Sequence, residues 1–166
     1  MSYVSDESLL VKTKQVIFPL SIEVQNICNE IIQDLTNNKL AKGLSANQLG
    51  HDYAIFGMKL NNEVVICINP SFIPKSVELY IATEGCLSVS GQSVTTKRYK
   101  HITASYISIN NVAQQIDLSN NDSACFQHET DHTNGIIMLE RQIGVRGLQA
   151  RKQMQRIRLS HQRTQL

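Results

Sequence analysis

The sequence predicts an α+β fold. Three observations carry it: an amphipathic helix pattern comes first, β-hairpin patterns fill the middle, and helical patterns return only near the end. At 166 residues and 42% hydrophobic content the chain can bury a sizeable core, and it is expected to form one domain over 1–166.

Ser21 opens the first helix. Its hydroxyl can cap the N-terminus, and Glu23 sits in the first turn, where the helix dipole favours an anion. Val24, Ile27, Cys28, Ile31 and Leu35 then fall on one face, and the helix runs out at Asn37-Asn38. Tyr53 to Leu60 and Glu63 to Asn69 read as strands joined at Asn61-Asn62, a pair that tolerates positive φ. A second hairpin pairs HITASYISI with VAQQIDL around Asn110-Asn111. From about Asp122 the pattern turns helical, with Asn121, Asp122 or Ser123 as alternative caps and Gly135 as the stop. A last, basic helix is expected over about 145–166. There is no internal repeat and no low-complexity linker.

The chain carries no N-terminal apolar run with a basic flank and no apolar run of about 18 residues, so neither a secretory signal nor a membrane span is expected. Cys28, Cys67, Cys86 and Cys125 are widely spaced and form no C-x-x-C pair. They read as reduced thiols of a cytoplasmic protein, with Cys28 and Cys67 in apolar patterns. The net charge of +2 conceals an asymmetry. Residues 1–140 hold nine Lys and Arg against 14 acids, a balance of −5, whereas residues 141–166 hold seven bases and no acid. A basic tail on an acidic body suits a polyanionic partner such as RNA. A solvated helix face accounts for the charge equally well.

The stretch FQHETDHTNG, Phe126 to Gly135, carries the chemistry. On a helix His128 and His132 are one turn apart and share a face, so both imidazoles can ligate one ion. Glu129 follows the first and can serve as a base toward water. Alone, such a string competes with incidental histidines on a helix surface. A catalytic metal needs a third ligand and an open position. Thr83-Glu-Gly-Cys-Leu-Ser offers Cys86, whose thiol a nearby cation would acidify, although a free cysteine is more often a small buried hydrophobe. In KGLSANQLG, Lys42 to Gly50, small residues permit close approach by a ligand, and Gln48 can donate from its amide. By itself that segment reads as a plain loop.

GLSANQ, EGCLS and HETDH, in this order and spacing, resemble the three signature motifs of the peptide deformylases, G-x-G-L-A-A-x-Q, E-G-C-L-S and H-E-x-D-H. The second and third match completely, and the likeness extends over the chain from about Lys14. The resemblance implies antiparallel β-sheets around a central metal-binding helix, with a C-terminal helix. It implies a divalent metal on Cys86, His128 and His132, usually Fe(II), with Zn, Ni or Co able to use the same ligands. It makes Glu129 the general base and proton shuttle, and makes Gln48 and the backbone N–H of Leu87 the oxyanion donors. The implied reaction removes the formyl group from N-formylated nascent peptides, and family members use a C-terminal helix to approach the ribosome. Behind the ligands, Arg98 is expected to partner Asp131, and Glu84 to orient a histidine ring.

The chain departs from the family pattern at several places. The first glycine is Ala41, the proline common before the glutamine is Asn47, the one after C-L-S-[VI] is Ser90, and an arginine that helps hold the peptide is Ser93. Around the expected substrate pocket, Lys42 stands between the motif's glycine positions, before Gly43, and Ala82, Ala124 and Cys125 give a smaller, more polar wall. Lys42 is expected to turn its ammonium to water and cover the pocket with its alkyl stem. Two rivals remain: a zincin-type metallopeptidase, which would need a downstream ligand from Glu140 or His161, and a metal-binding docking module without activity.

Overall fold

The computed structural model describes residues 9–164. Helix α1 (Ile22–Asn37) is followed by a short strand β1 (Gly43–Ser45), a 3-10 turn (Ala46–Leu49), and strands β2 (Ile55–Leu60), β3 (Glu63–Pro74), β4 (Leu79–Cys86), β5 (Val89–Tyr99), β6 (His101–Ile107) and β7 (Ala113–Ser119). Helices α2 (Asn120–Thr133), α3 (Met138–Arg141) and α4 (Gly144–Thr164) close the chain. The strands form a five-stranded sheet in the order β1-β2-β3-β6-β7 and a separate β4-β5 hairpin, antiparallel throughout. The α+β class and the antiparallel sheets are as the sequence and the resemblance imply.

Helix α1 forms as its pattern dictates. Ser21 accepts from the Val24 N–H, and the five apolar residues of its face are all buried. They pack against Leu44, Ile55, Ile66 and Ile68 of the sheet. Gly57 allows this closeness, because a Cβ there would lie 2.5 Å from Ile31 Cγ2. The opposite face of the sheet presents Phe56, Met58, Cys67, Ile102, Ala104, Tyr106 and Leu118. Phe126 of α2 plugs into this face and meets Phe56 edge-on, with ring centroids 5.1 Å apart. β2 is therefore covered on both sides, by α1 and by α2, and every residue from Ile55 to Met58 is buried.

The structure corrects several element boundaries. β2 begins at Ile55 rather than Tyr53, which instead bridges to Lys14. β3 runs on to Pro74 rather than ending at Asn69. Asn69 adopts a left-handed φ of 51° inside a register shift, and its carboxamide exchanges two hydrogen bonds with the Val16 backbone. A bulge and a proline break the alternation that a strand reading relies on, yet β6 pairs the chain beyond them. Asn61 and Asn62 do take positive φ. Helix α2 starts at Asn120, not near Asp122, and none of the three proposed caps is its N-cap. Ser119 holds that position without a side-chain bond. Ser123 instead donates to the Tyr99 carbonyl, so tertiary pairing replaces capping. Gly135 follows the helix end at φ 70°.

The basic tail is α4. Met154 buries its side chain with Leu9, Leu10 and Ile137. Arg158 donates to both Glu140 oxygens and to the carbonyls of Gly135 and Leu10. No helix among the described residues is long and apolar enough to cross a membrane.

Candidate active site

Helix α2 lies between the five-stranded sheet and the β4-β5 hairpin, and from Ser123 to Thr133 every residue except Cys125 is buried. Such burial is unusual for a segment this polar, and it requires partners for each polar group. Gln127 bonds the Tyr99 backbone at both its N–H and its carbonyl, and Thr130 and Thr133 donate back to helix carbonyls. Two atoms stand apart: Glu129 Oε2 and His132 Nδ1 are buried with no hydrogen-bond partner among the described residues.

One helical turn brings the two histidine rings together. His132 Nε2 lies 3.2 Å from His128 Nε2 and 3.3 Å from Cys86 Sγ. Cys86 arrives from the end of β4, where the hairpin register shifts after Gly85. The three candidate ligand atoms lie within 4.8 Å of one another. Tetrahedral coordination with metal–nitrogen and metal–sulfur bonds of ~2.0–2.3 Å has ligand–ligand edges of about 3.3–3.6 Å. The donor set fits a divalent cation of the first transition row.

The charges around the triad point the same way. Burial disfavours a charged His128, yet Cys86, Glu84 and Glu129 together raise it to about 10. Burial, with His128 and Arg98 nearby, holds His132 well below the ordinary range. Burial pushes Glu129 up to about 7, against the pull of His128 and Arg98. A carboxyl poised near neutrality suits proton shuttling.

Behind the ligands, the expected pairings are present. His128 Nδ1 is 2.8 Å from Glu84 Oε2, which fixes the tautomer that turns Nε2 toward the centre. Burial opposes charge on Glu84, but hydrogen bonds from Arg98 and His128 hold its carboxyl well below the usual range. Arg98 donates to both Glu84 oxygens and reaches Asp131 Oδ2 at 2.5 Å. Asp131 has a further partner that the sequence did not suggest. Arg141, counted above among the basic tail, donates to both of its oxygens. Arg141 and Arg158 are therefore structural cations.

The triad opens onto a cleft of about 740 Å³. Gln48 is buried in its wall. Its Oε1 accepts from the Ser45 N–H at 3.0 Å, so its amide edge must face the centre, where Nε2 lies 3.4 Å from Cys86 Sγ and 3.1 Å from Ser88 Oγ. Ser88 was not singled out from the sequence, although it closes the E-G-C-L-S motif. Leu87 occupies the two-residue turn between β4 and β5, at the cleft wall. Gly43 and Cys125 also line the cleft, with Ala82, Ala124 and Ser93. Lys42 is half-exposed, and its ammonium pairs at the surface with Asp122 Oδ1 at 2.7 Å, a partner the sequence did not suggest. Asp122 lies in the first turn of α2. Ala41 is buried in the core beside the cleft. The side chains of Ser90 and His161 lie outside the described residues. Glu140 is engaged by Arg158, away from the triad.

Comparison with known proteins agrees with this geometry. The family model for polypeptide deformylase matches residues 1–147. A peptide deformylase of Thermotoga neapolitana is 34% identical over 112 residues, covering 68% of each chain. One of Borreliella burgdorferi is 31% identical over 142 residues, covering 84% of this chain and 85% of its own. The crystal structure of peptide deformylase from Thermotoga maritima superposes with a TM-score of 0.78 at 27% identity, covering 87% of this chain and 99% of that one. Motifs, fold and matching residues agree, and the chain belongs to the peptide deformylase family.

Proposed function

We propose that this chain, as a single catalytic domain, hydrolyses the N-formyl group from the terminal formylmethionine of nascent polypeptides, releasing formate and a free amine. The observation that carries this is Glu129, buried beside the Cys86, His128 and His132 cluster with an oxygen that has no partner among the described residues. A divalent cation held by those three residues supplies the Lewis acidity that makes water a nucleophile near neutral pH. Fe(II) is the proposed metal, with Zn, Ni or Co able to use the same ligands.

Glu129 accepts the proton of the attacking water. It returns that proton to the leaving nitrogen as the carbon–nitrogen bond breaks, because an amide anion is too poor a leaving group. Negative charge builds on the formyl oxygen, where the Gln48 amide and the Leu87 N–H serve as donors. Glu84 and Arg98 keep the His128 ring and helix α2 in place. Lys42, Gly43 and Cys125 line the wall against which the first side chain of the substrate rests.

A cytoplasmic setting is proposed, because Fe(II) and unpaired thiols persist best in reducing surroundings. Contact with the ribosome is proposed through Arg146, Lys152 and Arg156 of α4, since Arg141 and Arg158 are committed within the fold. Removing these three charges should flatten the salt dependence of ribosome pelleting. Pelleting that is unchanged and insensitive to salt argues against that contact.

The experiment for the activity is formate release from formyl-Met-Ala-Ser by protein purified anaerobically, with about one metal equivalent per chain. A chelator should abolish release. Absence of chelator-sensitive formate in metal-loaded protein overturns the proposal. Full metal occupancy in a Cys86→Ala, His132→Ala double variant overturns the ligand assignment.

A further inference from the structure

The segment before Gln48 departs from the family pattern at two places, with one residue between them. Where G-x-G-L-A-A-x-Q has alanine and commonly proline, this chain has Ser45 and Asn47. Neither side chain faces solvent: Ser45 is fully buried and Asn47 is 5% exposed. Two polar groups placed in a core are costly unless they are bonded, and both are. Asn47 Nδ2 donates to the His132 carbonyl at 2.8 Å, and Ser45 Oγ lies 2.8 Å from Asn47 Oδ1.

The direction of each bond follows from its partner. The His132 carbonyl can only accept, so the Asn47 amide edge must face it, leaving Oδ1 toward the Ser45 hydroxyl. The same serine turns its backbone N–H to Gln48 Oε1 at 3.0 Å, and its hydroxyl is also 3.0 Å from that oxygen. An unbroken chain of bonds thus runs from the backbone of the ligand His132, through Asn47 and Ser45, to the Gln48 carboxamide, whose amide edge points at Cys86. The His132 carbonyl lies in the last turn of α2, where it also accepts the Gly135 N–H at 3.1 Å, so the Asn47 amide is a second donor to it. The next carbonyl, that of Thr133, accepts from both the N–H and the hydroxyl of Thr13.

We propose that Ser45 and Asn47 are positioning residues for the deformylation reaction, tying the Gln48-bearing turn to the helix that carries the metal ligands so that donor and ligands keep a fixed spacing. Proline stiffens a turn by fixing its own φ. Asn47 holds the turn by gripping its neighbour, so the constraint here is between two elements and not within one. The inference rests on the reading of Gln48 as an oxyanion donor. A misplaced donor stabilises the transition state less while leaving ground-state binding nearly unchanged.

The test uses metal-loaded full-length protein with formyl-Met-Ala-Ser. Asn47→Ala and Ser45→Ala should each lower kcat about tenfold, as expected for about one hydrogen bond lost in positioning. KM and the metal content should be unchanged. The double variant should be no worse than either single one, because the two act as one unit. The isosteric Asn47→Asp keeps the volume but sets an oxygen against the His132 carbonyl, and should lose as much as Asn47→Ala while still folding. In a Gln48→Leu background Asn47→Ala should have no further effect on kcat. The same tenfold loss in that background, or unchanged kcat in all three single variants, overturns the proposal. So does a lower melting temperature with full activity per metal-loaded molecule. Gln48→Leu tested alone separates the two readings: if only its KM changes, the oxyanion reading itself is overturned, whatever Asn47 does.

Discussion

Gly43 lies directly beneath Glu129: a Cβ on Gly43 would stand 2.5 Å from Glu129 Oε1 and 2.8 Å from its Cδ. No real Cβ approaches a carboxylate that closely, and both groups are hemmed in, the glycine by strand pairing with Met58 and the acid by burial on every side. The glycine is therefore the floor on which the proposed base rests.

Gly43→Ala should retain about one metal equivalent and lose turnover. A shift of the carboxylate of about 1 Å can cost on the order of 10²-fold. The measurement is kcat against metal content, and an unchanged kcat means that Glu129 has room the structure does not show.

Glu129→Ala should also keep its metal, because none of the three ligands is touched, and should lose about 10²–10⁴ in rate. Retained activity per metal ion, with metal content falling, would assign Glu129 a structural part instead.

Gln48→Leu preserves bulk but removes the donor aimed at Cys86. It should lower kcat by about 10²–10³ with a smaller change in KM. A change confined to KM marks Gln48 as a binding residue.

Lys42→Ile removes the ion pair with Asp122 and gives the cleft an apolar wall. Discrimination by one methylene is worth about 1–3 kcal/mol in a closed apolar pocket. The wild type should therefore separate formyl-Met, formyl-Leu and formyl-Ala tripeptides weakly in kcat/KM, and the variant should separate them more. Ratios identical in both proteins show that Lys42 does not set selectivity.

Arg158→Ala should destabilise the fold even though Arg146, Arg151, Lys152 and Arg156 of the same helix are exposed. It strips partners from Glu140 and from the carbonyls of Gly135 and Leu10. Leaving buried acceptors unmatched costs roughly 1–3 kcal/mol, or several degrees in Tm for a chain of this size. Arg156→Ala, with no such contacts to lose among the described residues, should change stability by less than about 0.5 kcal/mol. Equal melting temperatures for the two variants would remove the distinction between structural and free cations in the tail.

Local rules determined much of this protein directly from its sequence. The α1 face, the cap at Ser21 and the turn at Asn61-Asn62 are set by periodicity and φ preference, which act over a few residues. The candidate ligands His128 and His132 share one helical turn, so their convergence is a local property as well. The motifs also marked Cys86, Gln48 and the pairing of Arg98 with Asp131. The tertiary structure decided what depends on residues far apart in the chain. β3 continues past the bulge at Asn69 because β6 pairs it there. Helix α2 begins early and uncapped because Ser123 bonds Tyr99 across 24 residues. Lys42 finds Asp122, Arg141 finds Asp131 and Asn47 finds the His132 carbonyl only once β1, α2 and the chain after it are packed together. A charge or an amide in a sequence records what it can bond. Which partner it meets is fixed by burial, since a polar group removed from water must take the one available to it.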